Sequence, residues 1–454
     1  MDPGRLHLRA PSEYSCLTSV LQQVNREVIA INAATKKVAV EQAMIVVGYI
    51  VELLKKDETF CKVFNGIRHV GSYYDGLRVT APTEFDINIV LKFPFHKKCK
   101  VERSGLPGFV QVFIEKNVPR SWSFGEIFRY SMDWTLKNIV DSDGYIRRDK
   151  VLQWWQSMFS RLVKRDVDLV IQGQTCKVTW RTSGPAITVS MKFANSEAID
   201  IDLVPVLMFQ DGDASSPSPV YQSWIRGNSN NPKQWYIVPK PLRDYDNDRI
   251  WRLSFTDQEK VIMNRLEHLK PTNKLMKRLR DNFAWKKLSS YFIKNVFIRQ
   301  AHKQRASGDE QAFFRSNLGY LFIYFLSVIK VHLQGNQLPF FWDPDMNLFK
   351  QIPNETAFNH YRCLERISSK IHRLIDEGNR SYLEQYVRSL LIGGHTVCME
   401  NSPSYPVFQY SNAIGHSNHV NSYDEQHIFK TDCNRCQKIA KKIPLQAQSS
   451  CVIL

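Results

Sequence analysis

The spacing of apolar residues separates a strand-rich first part of the chain from a helical second part. Between residues 67 and 206, short apolar runs are bounded by turn residues, which is typical of strands. We predict strands at 87–91, 110–114, 167–171, 176–180, 186–193 and 198–207, and one helix among them at 152–164. Beyond residue 255 the apolar spacing becomes helical, which predicts helices at 256–269, 273–283, 291–307, 313–333 and 359–377.

One long helix is predicted before the strands, over residues 14–56. Apolar residues that include Val20, Val24 and Ile31 recur there at helical spacing, and the stretch contains no proline. Its first glycine is Gly48, which is the place where we expect any kink.

These elements predict an α+β fold with two lobes, in which a mixed β-sheet platform precedes a helical lobe. An α/β arrangement of the platform is the alternative. Polar loops at 210–219 and 227–232, rich in Gly, Pro, Ser and Asn, mark the predicted end of the sheet. We divide the chain into a sheet-containing domain at 1–245, a helical lobe at 246–397 and a tail at 398–454. The active site is expected in the cleft between the lobes.

The composition of the chain predicts a polyanionic binding partner. The 454 residues, 43% of them hydrophobic, suffice for two sizeable cores. With 61 basic and 44 acidic residues the net charge is +17, which favours nucleic acid or an anionic membrane surface as a partner. A basic surface that serves only solubility is the alternative.

The amino-terminal residues contain no apolar segment of the kind that directs export, so we expect a cytoplasmic protein. The longest apolar run, 318–329, is too short to cross a bilayer. In a reducing compartment, the odd number of nine cysteines favours buried thiols over a disulfide framework.

The stretch at 70–86, V-G-S-Y-Y-D-G-L-R-V-T-A-P-T-E-F-D, carries candidate catalytic groups. Side chains alternate along a strand, so Glu84 and Asp86 project from the same face and form half of a divalent-metal site. Before them, Gly71 lets the backbone approach a ligand closely, and the hydroxyl of Ser72 suits a triphosphate oxygen.

A third carboxylate is predicted from the apolar strand at 198–207, A-I-D-I-D-L-V-P-V-L, which only Asp200 and Asp202 interrupt. Acidic residues are depleted in strands and are costly in apolar surroundings unless they bind something. Each acidic pair alone could be the solvated face of a strand. Together with the Gly-Ser turn, they indicate a metal-dependent nucleotidyltransferase.

Five blocks of sequence carry a resemblance to a known family. They are the stretch at 70–86, W-R-L-S-F at 251–255, N-K-L-M-K at 273–277, L-S-S-Y-F-I-K at 288–294 and M-N-L-F at 346–349. In these blocks the chain resembles the cyclic GMP-AMP synthase-like receptors, and the likeness runs from the predicted long helix to about residue 391. It implies a bilobal nucleotidyltransferase fold.

Carried over residue by residue, the resemblance implies the parts of the site. Glu84, Asp86 and Asp202 would bind two Mg²⁺ or Mn²⁺ ions. We prefer Asp202 to Asp200 because its D-L-V-P block matches the family pattern. The implied nucleotide contacts are Ser72 with the donor triphosphate, Arg252 with a base, Glu259 with the nucleotide, Tyr291 stacked on a base, and Lys277, Ser290 and Lys294 with the phosphates and sugar of ATP. Without the resemblance, Tyr291 would be interpreted as a core residue and the two lysines as solvated.

The implied activity is synthesis of a cyclic dinucleotide, cyclic GMP-AMP, from ATP and GTP, read by a downstream cyclic-dinucleotide receptor in innate antiviral defence. One metal would activate the acceptor hydroxyl and the other would brace the triphosphate. Two alternatives remain: a template-independent nucleotidyltransferase that makes linear RNA, and a catalytically silent scaffold that binds nucleic acid at a membrane.

One departure from the family concerns the activator. The vertebrate DNA sensor carries a His-Cys-Cys-Cys zinc thumb, whereas residues 256–273 contain no cysteine and only His268. The resemblance therefore favours double-stranded RNA over DNA. Because RNA duplexes are recognised mainly through phosphates, 2′-hydroxyls and shape, the expected detector is a basic face. Its candidate residues are Lys36, Lys37, Lys274, Arg278, Arg280, Lys286 and Lys287.

The last residues differ in composition from the rest. Residues 401–423 are rich in Ser, Asn, Pro and His, which predicts a disordered tail. The C-V-I-L end predicts geranylgeranylation of Cys451 and hence a membrane anchor. A second anchoring signal would come from the basic residues Arg435, Lys438, Lys441 and Lys442 or from acylation of Cys433 or Cys436. Zinc binding by His416, His419, Cys433 and Cys436 is an alternative to a flexible tail.

Overall fold

A computed structural model of the chain describes residues 8–29, 33–79, 83–93, 96–114, 138–210, 216–227, 230–241 and 247–393. All of them belong to the unit Met1–Val397. The tail lies outside the described residues, so prenylation of Cys451, acylation and the zinc site stay predictions. The domain division at residue 245 and the cytoplasmic or membrane localisation also stay predictions.

The described strands form one mixed sheet, and most of their sequences are rich in the aliphatic and aromatic residues that favour strands. They are β1 Phe64–Val70, β2 Glu84–Leu91, β3 Cys99–Arg103, β4 Phe109–Ile114, β5 Asp166–Ile171, β6 Gln174–Ser183, β7 Ala186–Phe193, β8 Ile199–Gln210, β9 Gln234–Val238 and β10 Ile250–Ser254. The sheet confirms the predicted mixed platform.

Strand β8 is central to the sheet because it pairs with three others. The main order is β3-β4-β10-β9-β8-β7-β6-β5, and β2, which also pairs with β1, lies alongside β8 off this path. The β2–β8 pairing is parallel, and the other described ladders are antiparallel. Residues 201–209 of β8 are buried throughout, which explains the nearly continuous apolar run of this strand.

The helices before and within the sheet region are α1 Ser15–Val24, α2 Ala33–Leu54, α3 Glu58–Val63, α4 Gly71–Tyr74, α5 Arg148–Leu162 and α6 Pro219–Arg226. The helices of the second part are α7 Thr256–Ile262, α8 Leu269–Asn282, α9 Ser290–Ala306, α10 Glu310–Arg315, α11 Leu318–Gln334, α12 Asn354–Asp376 and α13 Arg380–Leu391. This helical part after residue 255 confirms the prediction. None of the described helices has the length and apolar character needed to cross a membrane.

The long helix predicted over 14–56 is irregular, and the described irregularity does not lie at Gly48. A π-helical turn at Asn25–Ile29 follows α1, whereas Gly48 lies within the regular helix α2. Helix α1 packs against α11 and α13, and α2 packs against α5. The described departure from regular α-helical structure therefore lies at Asn25–Ile29 and not at the glycine.

Two other predicted helices are each divided by local backbone chemistry. Arg265 has φ 62°, a left-handed conformation that cannot continue the helix predicted over 256–269. The helix predicted over 313–333 is interrupted at Asn317, whose side chain accepts a hydrogen bond from the backbone N–H of Tyr320 at 2.8 Å and caps α11. Strands β9 and β10 follow the loops that were predicted to end the sheet, and this prediction was also wrong.

Candidate active site

Three carboxylates from two parallel strands meet near the start of both strands. In the register of β2 and β8, Asp86 lies directly opposite Asp202. Because strand side chains alternate, Glu84 projects from the same face as Asp86. One carboxylate oxygen from each of the three residues lies within 4.8 Å of the other two. The structure therefore brings together the three carboxylates that the resemblance implied, which we call the carboxylate triad.

The carboxylate triad concentrates negative charge in a partly enclosed place. Asp202 is only 2% exposed, and the Glu84 side chain accepts a hydrogen bond from Arg78 at 3.0 Å. Burial, together with the charges of Glu84 and Asp202, raises the pKa of Asp86 to about 7. Mg²⁺ and Mn²⁺ prefer carboxylate oxygens as ligands, and a divalent cation would relieve this repulsion. The donor set therefore fits a divalent metal.

Asp200 has a different environment from Asp202, although both project from the same face of β8. Arg181 donates to Asp200 Oδ2 at 3.2 Å, whereas the hydroxyl of Thr188 donates to Asp202 Oδ1 at 2.5 Å. Asp202, and not Asp200, belongs to the group whose oxygens approach one another.

The Gly-Ser turn lies directly against the carboxylate triad. Gly71 begins the single-turn helix α4 with φ 78°, which disfavours any side chain. A Cβ atom at this position would lie 1.8 Å from Asp86 Oδ2, so only glycine fits. Ser72 follows in the same turn and is partly buried. Its contact with a triphosphate stays a prediction.

Glu259 is the centre of a buried polar network on the helical side. Its Oε1 accepts from the Tyr291 hydroxyl at 2.8 Å and from Trp342 Nε1 at 3.1 Å. Its Oε2 pairs with Lys294 Nζ at 2.7 Å, and the same ammonium reaches Asp75 Oδ2 at 2.7 Å. Burial alone would lower the pKa of Lys294, but Asp75 and Glu259 raise it above its ordinary value.

Arg252 on β10 lies in aromatic surroundings beside this network. Its guanidinium is 5.6 Å from the ring centre of Phe109 and 5.3 Å from that of Phe340. Burial lowers the pKa of Arg252 and raises that of Tyr291. Burial and the charge of Arg252 together lower the pKa of Lys240 to about 8. The structure thus places both predicted base-contacting side chains, Arg252 and Tyr291, among buried polar and aromatic groups.

The remaining predicted ATP-contacting residues lie at the starts and inner faces of helices. Lys277 on α8 is 5% exposed, its Nζ donates to the Leu77 carbonyl at 2.9 Å, and burial lowers its pKa to about 8. Ser290 begins α9, and Ser289 before it accepts from the backbone N–H of Tyr291 at 3.2 Å. The contacts of Lys277 and Ser290 with ATP stay predictions.

Part of the predicted RNA-binding face is used within the fold. Arg278 Nε donates to the Leu391 carbonyl at 2.8 Å, and Arg280 pairs with the neighbouring Asp281. Lys274 is partly buried. These three residues are therefore weaker candidates for RNA contacts than exposed lysines.

Exposed lysines remain at two other places. Lys286 and Lys287 are exposed in the connection between α8 and α9. Lys37 on α2 is also exposed, and its Nζ lies 3.9 Å from Glu41 Oε1. The side chain of Lys36 lies outside the described residues.

Sequence reasoning missed several residues that contact the predicted site residues. They are Asp75, Arg78, Thr188 and Trp342. The antiparallel register of β7 with β8 places Thr188 opposite Asp202, so a hairpin interpretation could have found it. Asp75 lies in the stretch at 70–86, but no local pattern indicates its partner Lys294.

Two family descriptions match the chain in succession. The Mab-21 protein nucleotidyltransferase domain matches residues 73–265, and the Mab-21 protein HhH/H2TH-like domain matches residues 268–366. The first match contains the carboxylate triad, and the second contains most of the helical part.

Curated relatives resemble the chain over most of its length. A cyclic GMP-AMP synthase-like receptor of Aethina tumida is 31% identical over 358 residues, which are 77% of this chain and 86% of that protein. One of Tribolium castaneum is 27% identical over 419 residues, which are 88% of this chain and 100% of that protein. Cyclic GMP-AMP synthase-like receptor 2 of Drosophila melanogaster is 25% identical over 334 residues, or 70% and 69% of the two chains.

Proposed function

Because the chain belongs to the Mab-21 nucleotidyltransferase family, with the cyclic GMP-AMP synthase-like receptors, we propose that it makes cyclic GMP-AMP from ATP and GTP when it binds double-stranded RNA. The observation that carries the proposal is the carboxylate triad of Glu84, Asp86 and Asp202, packed directly against Gly71. The product would act on a downstream cyclic-dinucleotide receptor in innate antiviral defence.

The chemistry follows from the positions of the side chains. When bound at the carboxylate triad, divalent cations would activate the acceptor hydroxyl and stabilise the charge of the leaving pyrophosphate. The register of β2 and β8 holds Asp86 beside Asp202, and the Thr188 hydroxyl fixes one oxygen of Asp202. Supporting hydrogen bonds of this kind hold the ligands in place and reduce reorganisation during the reaction.

We propose that substrate is bound by residues of strand β10, of the Gly-Ser turn and of the helical part. Arg252 offers a planar fork for a base edge or a phosphate, and Tyr291 offers a ring for stacking. The hydroxyl of Tyr291 is already bound by Glu259, which fixes the orientation of the ring. As the family resemblance implies, Ser72 would contact the triphosphate of the donor nucleotide. The phosphates and sugar of ATP would be contacted by Lys277, Ser290 and Lys294.

The preference for RNA rests on a short connection and a basic surface. Only residues 263–268 separate α7 from α8, and this segment contains no cysteine that could hold a zinc thumb. The net charge of +17 and the exposed Lys286 and Lys287 favour contacts with the phosphates of a duplex.

The decisive experiment is a product analysis. Purified protein would be incubated with ATP, GTP and Mn²⁺ or Mg²⁺, with double-stranded RNA, double-stranded DNA or no nucleic acid, and the products identified by mass spectrometry. We expect cyclic GMP-AMP with RNA and none from Asp202→Asn. Primer extension without activation would instead support the linear nucleotidyltransferase, and no product with any nucleic acid would contradict the proposal.

The surface assignment has its own test. We expect Lys286→Glu with Lys287→Glu to weaken RNA activation by about tenfold and to reduce the salt dependence of RNA binding, because phosphate contacts are lost. The control for the change in net charge is Lys164→Glu with Lys192→Glu, which reverses the same number of exposed lysines elsewhere on the surface. If the control reduces RNA activation as much as the test variant, Lys286 and Lys287 do not form the RNA-binding surface.

A further inference from the structure

Three lysines from three helices of the second part converge on the segment at 69–77, which carries the Gly-Ser turn. We call them the lysine clamp. The pairs are Lys260 Nζ with the His69 carbonyl, Lys277 Nζ with the Leu77 carbonyl at 2.9 Å, and Lys294 Nζ with Asp75 Oδ2 at 2.7 Å. In this arrangement the lysines hold the turn itself.

The segment needs such anchoring because its own secondary structure is minimal. Helix α4 is a single turn, and one helical turn does not fix enough hydrogen bonds to be stable alone. Lysine ammonium groups are costly to bury unless they are bound by acceptors, and Lys277 and Lys294 are only 5% and 8% exposed. Clamp and turn therefore stabilise each other.

Asp75 is the acidic side chain of the segment at 69–77 that binds a lysine of the clamp, Lys294. Its carboxylate is 8% exposed, and its backbone N–H donates to the Gly71 carbonyl at 3.2 Å. At one end of the turn Asp75 binds Lys294, and at the other end Gly71 packs against Asp86. We propose that Asp75 is a positioning residue for nucleotidyl transfer, which acts through Lys294 to fix Gly71 and Ser72 beside the carboxylate triad. This inference rests on the proposed function.

The geometry also indicates the cleanest substitution. Lys294 contacts both Asp75 and Glu259, each at 2.7 Å. Asp75→Asn keeps the shape of the side chain and leaves Lys294 paired with Glu259, so no buried cation loses its partner. Removal of Lys294 would instead leave two buried carboxylates without their shared cation and would risk unfolding.

The experiment combines amide hydrogen exchange with kinetics. In Asp75→Asn we expect exchange in the peptide at 70–77 to be faster by about tenfold or more, with β2 and β8 unchanged. We also expect KM for ATP to rise and kcat to fall, with kcat/KM reduced by about 10-fold to 100-fold, because the turn is misplaced. Asp75→Glu should recover part of both effects.

The matched control is Asp57→Asn. Asp57 is also an ion-paired aspartate beside a short helix, where it caps α3 and binds Arg161, but it lies outside this network. Exchange at 70–77 that is the same in Asp75→Asn, Asp57→Asn and wild type overturns the proposal whatever the enzyme makes. Faster exchange with unchanged KM and kcat also overturns it. If the wild type makes no product, the proposed function fails, while the exchange result still decides whether Asp75 holds the turn.

Discussion

The two sides of the candidate site are built by different physical means. On the sheet side, Glu84, Asp86 and Asp202 are placed by strand alternation and one parallel register, and they gather like charges. On the helical side, Glu259 and Lys294 belong to a network in which opposite charges and donors satisfy one another. The like charges on the sheet side would therefore be stabilised by a bound cation, whereas the groups on the helical side already stabilise one another.

The largest expected effect comes from the sheet side. Asp202→Asn should lower turnover by about 1000-fold, because loss of a metal ligand removes several kcal/mol of transition-state stabilisation. Asp200→Asn is the matched control on the same face of the same strand, and it should retain most of the activity because Asp200 binds Arg181. Steady-state kinetics would measure both. Equal losses would show that the assignment within the pair is wrong.

The next largest loss of activity is expected at the contact between Gly71 of the Gly-Ser turn and Asp86 of the carboxylate triad. Gly71→Ala should lower activity by about 100-fold, since the new methyl group would collide with Asp86 and displace the turn. Gly173 has the same φ of 78°, but a Cβ added there would meet nothing within 4 Å, so Gly173→Ala carries the backbone strain alone. Comparable loss of activity in the two variants would point to strain and not to the collision.

On the helical side, the same acid-to-amide change should act on stability. Glu259→Gln should lower the free energy of unfolding by about 1–3 kcal/mol, because charge-assisted bonds to buried partners are weakened. Glu365→Gln, which loses the more exposed pair with Lys330, should change it by less than about 0.5 kcal/mol. Urea unfolding would measure the difference. A neutral Glu259→Gln would show that the network contributes little to holding this side together.

The last expected effect is a gain in the stability of the protein and not a loss. The pKa of Asp86 is raised from 3.8 to about 7, so the native state retains a proton that the unfolded chain releases. The stability of the metal-free protein should therefore fall as pH rises from about 4 to about 7. Asp86→Asn removes this cost, so it should raise Tm at pH 8 by a few degrees or more and raise it by less at pH 5.

The control for this pH dependence is Asp200→Asn, which should show no such gain. Thermal unfolding in a chelating buffer at both pH values would measure it. If Asp86→Asn is less stable than wild type at pH 8, the carboxylate triad is not under the electrostatic strain described above.

The candidate residues on the sheet side could be predicted from the sequence because they are marked by patterns between residues close together in the chain. Alternation along a strand places Glu84 beside Asp86, and two acids in an apolar strand mark Asp200 and Asp202 as unusual. The choice of Asp202 came from the family pattern, and its proximity to the other two carboxylates depends on the parallel register of β2 with β8. That register is a property of the folded sheet.

The helical side could be predicted only in part, because its contacts join distant positions. The resemblance indicated Glu259, Tyr291 and Lys294, but not that they bind one another or that Lys294 reaches Asp75. The π-helical segment Asn25–Ile29 was missed for a related reason. Apolar spacing continues through Val24 and does not show that α1 and α2 pack on different elements.

The central claim is that Glu84, Asp86 and Asp202 form a metal-binding catalytic centre, and equilibrium Mn²⁺ binding tests it most directly. Electron paramagnetic resonance would count the bound ions in the presence of a non-hydrolysable ATP analogue. We expect two Mn²⁺ ions per chain in wild type and in Asp200→Asn, and fewer in Asp202→Asn. Identical Mn²⁺ binding by wild type and Asp202→Asn would contradict the account.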